Sequence, residues 1–251
     1  MKFISYNVNG LRSAFNKGLK DFIDKEKADI LFIEEIKLPI NFKDELLNIK
    51  GYKYCINYSN KNGYSGVIFY YKKEPINIIN KIGYDRFDNE GRFLLLEYET
   101  YILIGVYMPH GGRYKENLDY KLESYNRLFD ILNKYKNKRI ILLGDFNIAH
   151  TFDDVERAKN NTNNIMFTEE ERKEIDKIIS YNLIDSFRVF NKGKGYYTWF
   201  PYAFNAKERN LGWRIDYIFI SKDILNKLKK SYILKETSYS DHCPIISYID
   251  I

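Results

Sequence analysis

The residues that could do chemistry stand at the ends of apolar runs. Ser240-Asp241-His242-Cys243-Pro244 sets an acid beside an imidazole ahead of the last such run. Gly144-Asp145-Phe146-Asn147 sets an acid near an amide just after another, and Glu35 follows a third. Acids, an amide and an imidazole on separate segments are the parts of a metal-assisted phosphoester hydrolysis. Further polar residues fall the same way: Asn7 and Asn9 end the first run, Tyr107 and His110 end another, and Asp216 opens one. A rigid sheet can aim side chains from several strand ends at one point. Taken singly, each residue has a blander use. Asp145 would serve as a turn residue or helix N-cap, Glu34 and Lys37 would be merely solvated neighbours of Glu35, Asn7 and Asn9 would close a turn before Gly10, and His110 and His150 would be hydrogen-bonded structural residues. Their recurrence together points to a site.

Such a site needs a scaffold. Runs rich in β-branched and aromatic residues predict strands at Phe3–Val8, Ile30–Glu34, Ser65–Tyr71, Phe93–Tyr98, Ile102–Met108, Arg139–Leu143, Ile215–Ile220 and Pro244–Ile249, enough for two sheets. Helical spacing of Leu118, Leu122, Tyr125, Phe129 and Leu132 predicts a helix over Glu116–Lys136 with that face in the core. A second helix is expected to start at Thr168, which forms a capping-box pattern with Glu171 ahead of Ile175, Ile178 and Ile179. Runs such as Ile140-Ile141-Leu142-Leu143 are apolar on both faces, so the sheets must pack together with helices outside.

No Gly/Ser/Pro-rich linker divides the 251 residues, which predicts one domain over 1–251. Apolar residues make up 45% and charged residues 29%, a soluble balance, and no stretch approaches the roughly eighteen apolar residues of a membrane span. No secretory leader pattern opens the chain, so an intracellular, cytoplasmic address is expected. Cys55 and Cys243 are the only cysteines, far apart and without metal-ligand spacing, so neither a disulfide framework nor a zinc site is suggested. The net charge of +6 permits a polyanionic partner.

In chain order, Asn7-Val8-Asn9-Gly10-Leu11-Arg12, Glu34-Glu35-Ile36-Lys37, Tyr107-Met108-Pro109, Gly144-Asp145-Phe146-Asn147, Asn210-Leu211-Gly212-Trp213-Arg214-Ile215-Asp216-Tyr217 and Ser240-Asp241-His242-Cys243-Pro244 follow one known pattern. They closely resemble the motifs of the exonuclease III family of apurinic/apyrimidinic (AP) endonucleases, within the endonuclease/exonuclease/phosphatase superfamily. The resemblance covers essentially the whole chain. The superfamily also holds broader deoxyribonucleases and phosphoesterases with the same acids, Asn and His. The Trp-containing motif and Tyr197-Thr198-Trp199-Phe200 point to the abasic-site branch. The fold implied is α/β, a four-layer α-β-β-α sandwich of two packed mixed β-sheets flanked by helices, with the active site at one rim.

The resemblance further implies a Mg²⁺-dependent enzyme, with Mn²⁺ as substitute, that hydrolyses the phosphodiester 5′ to an abasic site. Activity at blocked 3′ ends and 3′→5′ exonuclease activity accompany it in the family picture. The partner implied is double-stranded DNA with abasic sites or blocked 3′ ends, with no membrane, and the protein a monomer. Attack on a phosphodiester builds charge on its oxygens, which a carboxylate-held cation relieves. Glu35 is the first expected metal ligand, with Asn7 and Asp241 contributing. In the catalytic set implied, Asp145 handles the attacking water and Asn147 positions water or phosphate. His242 contacts the phosphate, oriented by Asp216, and Tyr107 donates to a phosphate oxygen. Asn9, Arg113 and Asn164 are the expected substrate contacts, and Trp199, Trp213 and Ile215 would wall a pocket that rejects intact nucleotides. Arg12, Lys17, Lys37, Asn161 and Arg209 are further candidates for phosphate contact. The family often has Asp where this chain has Asn9, whose amide brings no charge to a metal. Two other readings stand beside this one: a broader or uracil-incising nuclease, and a catalytically silent lesion-binding protein. The joint presence of Glu35, Asp145, Asn147, Asp216, Asp241 and His242 argues against the second.

Overall fold

A computed structural model describes residues 1–40, 42 and 45–251. Strands β1 (Lys2–Asn7), β2 (Ile30–Glu34), β3 (Lys53–Asn57), β4 (Val67–Tyr71), β11 (Leu228–Ile233) and β12 (Ile245–Ile249) form one sheet in the order β11-β12-β1-β2-β4-β3. Strands β5 (Asn77–Ile79), β6 (Phe93–Glu97), β7 (Ile102–Tyr107), β8 (Ile140–Asp145), β9 (Leu183–Asp185) and β10 (Asp216–Ser221) form the other, β5-β6-β7-β8-β10-β9. The central pair of each sheet, β1–β2 and β7–β8, is parallel and every other pair is antiparallel. Parallel neighbours need a crossover. Helices α1 (Leu11–Asn16) and α2 (Leu19–Glu26) supply the first and α4 (Leu118–Lys134) the second, while α3 (Asp85–Asn89), α5 (Glu169–Ser180) and α6 (Ser186–Phe190) follow other strands.

Alternation along the strands divides the core into layers. Ile141 and Leu143 of β8 face the first sheet among Phe3, Phe32, Phe69 and Ile218, while Ile140 and Leu142 face Tyr125, Leu128 and Leu132 of α4. Ile4, Leu31, Ile33 and Ile68 pack the first sheet against Leu19, Phe22 and Ile23 of α2. The sheets approach most tightly where Gly105 lies under Phe32: a Cβ there would stand 2.4 Å from the ring, so only glycine fits. The result is the four-layer α/β sandwich, two mixed sheets flanked by helices.

Every expected strand is present, with no end moved by more than two residues and Ile30–Glu34 unchanged. The run expected from Ser65 starts at Val67 because Ser65 and Gly66 take left-handed backbone (φ 45° and 81°). Thr168 and Glu171 form the expected reciprocal cap, Glu171 N donating to Thr168 Oγ1 (3.2 Å) and Thr168 N to Glu171 Oε2 (3.0 Å). The inward face of α4 corrects the periodic reading. Leu118 and Leu122 are only half-buried, and the buried row runs Lys121, Ser124, Tyr125, Leu128, Phe129, Leu132. Lys121 is drawn inward because it has an acid to meet there, Glu171. Among the described residues no helix is long and apolar enough to cross a membrane.

Candidate active site

The two parallel pairs end at the same rim. Asn7 pairs with Glu34 at the ends of β1 and β2, Tyr107 with Asp145 at the ends of β7 and β8, and Asp216 at the start of antiparallel β10 faces Asp145. The segment 197–200 laces two further loops onto this rim. Trp199 exchanges backbone hydrogen bonds with Trp213 (2.8 and 2.9 Å), Phe200 N donates to Asp241 O (3.0 Å), and Cys243 N donates to Thr198 O (2.6 Å). Left-handed backbone recurs at the site, at Asn9 (φ 49°), Glu35 (56°), Lys37 (53°) and Asn147 (50°). Asn tolerates this region well, whereas Glu35 holds it at a cost of about 1–3 kcal/mol.

Asp145 is the hub. Its Oδ1 accepts from Asn147 N (2.8 Å), and its Oδ2 accepts from Asn7 Nδ2 (2.9 Å) and Asn147 Nδ2 (3.3 Å). His242 gives Nδ1–H to Asp216 (3.0 and 3.2 Å to its two oxygens), which leaves Nε2 4.0 Å from Asp145 Oδ2. Asp216 is itself fixed where Thr198 Oγ1 accepts from the backbone N–H of Ile215 (3.0 Å) and of Asp216 (3.1 Å). Asp241 accepts from Asn9 Nδ2 (3.0 Å) and Trp199 Nε1 (3.1 Å). Lys37 then bridges Asn9 Oδ1 (2.5 Å) and Glu35 Oε1 (2.9 Å), so Glu35 and Asp241 belong to one chain of contacts. Tyr107 lies against Glu35 and beneath the Arg92 guanidinium, 4.5 Å from its ring centre.

Charge in this pocket is set by burial and crowding. Burial pushes the Asp145 carboxyl up and Asp216 adds to it, against His242 and the two asparagines, to about 7. Burial opposes a charged His242, but Asp216, Asp145 and Asp241 outweigh it and raise the imidazole well above the ordinary histidine range. Asp241 goes the other way: burial is outweighed by His242, Asn9 and Trp199, which lower it. Burial and Glu35 raise Tyr107, so the phenol keeps its proton as a donor. The ligand atoms of Asp145, Asp216 and His242 lie within 4.8 Å of one another, a cluster of the composition that holds a divalent cation. Among the described residues Glu35 and Asp241 are joined only through Lys37 and Asn9, and the Asn7 amide oxygen accepts from Asn9 N (3.0 Å).

A cavity of about 560 Å³ opens nearby, lined by His110, Arg113, Tyr114, Asn164, Ile165, Met166, Trp199, Pro201 and Trp213. Four of the expected substrate contacts, Arg113, Asn164, Trp199 and Trp213, meet in its walls. Ile215 does not line it: at 1% exposure it backs both tryptophans from the small core of Ala149, Val155 and Phe167. Asn9 stands with Asp241 and Lys37 instead. Of the other basic candidates, Lys17 Nζ reaches Tyr239 O (3.4 Å), Arg209 reaches Phe204 O (3.3 Å), Asn161 Nδ2 closes its own loop on Arg157 O (3.1 Å), and Arg12 sits over Phe42.

Several residues at the site were not read from the sequence. Glu34, expected as a solvated neighbour of Glu35, is instead completely buried because β2 turns it toward the other sheet, takes a hydrogen bond from Ser5 Oγ on one oxygen and has no partner on the other. Burial, Asp216 and Asp145 raise it well above the usual carboxyl range, which favours its neutral form. The period of two in β2 signals it, since Ile30, Phe32 and Glu34 share the face toward the other sheet. Arg214, also completely buried, binds Asp154 (2.6 Å) and Asp185 (2.7 Å) and thereby fixes the turn between Trp213 and Asp216. No local pattern announces that pairing, because its acids lie far away in the chain.

Residues 4–242 match the Endonuclease/Exonuclease/phosphatase family. The chain is 37% identical over 254 residues to an exodeoxyribonuclease of Bacillus subtilis, covering 100% of both. It is 36% identical to a DNA-(apurinic or apyrimidinic site) endonuclease of Dictyostelium discoideum, covering 100% of this chain and 71% of that one. The solved AP endonuclease of Archaeoglobus fulgidus superposes with a TM-score of 0.90 at 26% identity, covering 100% of each chain.

Proposed function

Because the chain belongs to the endonuclease/exonuclease/phosphatase family, we propose that it is a Mg²⁺-dependent AP endonuclease of DNA base excision repair. It hydrolyses the phosphodiester 5′ to an abasic site in duplex DNA and leaves a 3′-hydroxyl. It also clears blocked 3′ ends and removes nucleotides 3′→5′. It acts as a monomer in the compartment that holds the DNA. The observation that carries this reading is the junction of two unlike parts: Asp145, clamped between Asn7 and Asn147 and faced by the His242–Asp216 pair, and an aromatic-walled cavity beside it.

The residues divide the work by their geometry. Asp145, with a pKa near neutrality, can take a proton from water at working pH. Its two amide donors aim it, and Asn147 Nδ2 is itself fixed by Met108 O (2.9 Å). His242, held cationic by Asp216, turns Nε2–H toward the phosphate and offsets the charge that grows as water adds and the bond to the 3′ oxygen breaks. The protonated Tyr107 gives a further donor to a phosphate oxygen. Mg²⁺ suits Glu35, Asn7 and Asp241 better than the Asp145–Asp216–His242 cluster, because the Nδ1 of His242 is engaged with Asp216 and Mg²⁺ prefers hard oxygen donors. When bound it would withdraw charge from the phosphate. Lys37 Nζ, 2.9 Å from Glu35 Oε1, occupies that carboxylate and would have to swing aside to let a metal ion in.

An abasic nucleotide leaves the helix cheaply, having no base to unstack. Trp199 and Trp213, with Arg113 and Asn164 at the cavity wall, would receive its sugar and the flanking phosphates. Asp145→Asn tests the assignment. Turnover on an abasic duplex is expected to fall by roughly 100-fold or more, the range of a lost general base, with DNA affinity kept within several-fold. Full activity would remove Asp145 from the site.

A further inference from the structure

One ion pair outside the groups above touches both halves of the site. Lys121 faces inward from the start of α4 and Glu171 from the first turn of α5, and neither side chain has exposed surface (0%/0%). A lysine so placed needs an acceptor for each of its three N–H bonds. Nζ finds them in Glu171 Oε1 (2.5 Å), the carbonyl of Asn147 (2.7 Å) and the carbonyl of His110 (3.1 Å). Glu171 Oε1 also accepts from Met166 N (3.0 Å), and its Oε2 accepts from Thr168 N (3.0 Å) and Oγ1 (2.9 Å).

Three loops therefore meet at one ammonium–carboxylate pair. Asn147 carries the donors that aim Asp145. His110 begins the turn that brings Arg113 to the cavity, and Ile165 and Met166 line the same cavity. The turn is fitted closely over the pair: a Cβ on Gly111 would stand 3.2 Å from Lys121 Cδ and 2.7 Å from Ile165 Cδ1. A pair that served only to pack α4 on α5 would be replaceable by apolar side chains without loss. This one directs two of its three donors to loop carbonyls on either side of the chemistry.

We propose that Lys121 and Glu171 are positioning residues that set where the cavity stands relative to the Asp145–Asn147 centre. The proposal rests on the incision activity proposed above. Lys121→Met alone would bury an unpaired carboxylate and confuse misplacement with unfolding. The test is the double replacement Lys121→Met/Glu171→Met, which leaves no buried charge, beside Glu171→Gln, which keeps an oxygen for the Thr168 cap and leaves an amine that burial inclines to shed its proton. Each protein is assayed with Mg²⁺ on a duplex carrying one tetrahydrofuran abasic analogue, with rates expressed per folded molecule from circular dichroism. In both folded variants kcat is expected to fall by at least about threefold and up to about 100-fold, the range of ångström-scale misplacement, while KM stays within about threefold. A merely structural pair would lower the folded fraction and leave kcat per folded molecule unchanged. A smaller loss of kcat in the folded double variant, or in Glu171→Gln where the double variant does not fold, overturns the proposal. A wild type that does not incise overturns the activity instead.

Discussion

Replacing Asp216 by Asn removes one charge and keeps the shape. Its two oxygens lie 3.0 and 3.2 Å from His242 Nδ1, and both residues are buried. A hydrogen bond to a charged group is worth about 1.5–3 kcal/mol net. At about 1.4 kcal/mol per pKa unit, the His242 pKa in Asp216→Asn is expected to fall by roughly one to two. The sign follows from the balance in the wild type, where burial lowers the imidazole and Asp216 is the largest influence raising it. Asp145 loses a repulsive neighbour at the same time and becomes more acidic. The direct assay is an NMR titration of the ring protons in EDTA, simplified because His110, His150 and His242 are the only histidines. Turnover should also fall, and its decline toward high pH should begin earlier by the same interval. A His242 midpoint within about 0.3 of wild type would refute the reasoning, since loss of the carboxylate charge beside the ring predicts several times that.

Trp213 is half-exposed and meets Trp199 and Phe167 edge-on at 6.5 and 6.1 Å. Trp213→Ala is expected to cut the ratio of kcat/KM for abasic over intact duplex by roughly tenfold or more, the scale of apolar pocket discrimination, and an unchanged ratio would exclude the wall role. Asp154 is buried, which raises a carboxyl, but Arg214 and Arg188 outweigh this and depress it. A depressed acid stabilises the fold above its unfolded pKa and loses that contribution as pH falls. Asp154→Asn should therefore cost about 3–5 kcal/mol at neutral pH, with the gap to wild type closing below about pH 4. Urea unfolding at both pH values measures it, and a gap independent of pH would contradict the pairing.

The strands legible in the sequence are the interior ones. All the strands that no apolar run announces, β3, β5, β9 and β11, are the edges of the two sheets. An edge strand is covered on fewer sides and can carry exposed polar residues, as Lys229 and Lys230 do in β11 and Lys53 in β3. Asp145, Asn147, Asp216 and His242 were legible because each stands at a strand end beside a recognisable motif. What escaped reading is the support beneath them. Lys121 sits in a charged turn of α4, and Glu171 reads only as a cap. Arg214 meets Asp154 from 60 residues away, and only the folded chain brings such partners together. The periodic reading favoured Leu122 over Lys121, since hydropathy alone cannot foresee that a buried acid awaits the lysine.

The most direct measurement is cleavage of a labelled duplex holding one stable abasic analogue, beside matched undamaged and uracil-containing duplexes. Each is tested with Mg²⁺ and with EDTA, using wild type and Glu35→Gln. The account predicts a single Mg²⁺-dependent incision on the 5′ side of the analogue, lost in Glu35→Gln. Equal cutting of all three duplexes, or tight binding without cutting, would contradict it.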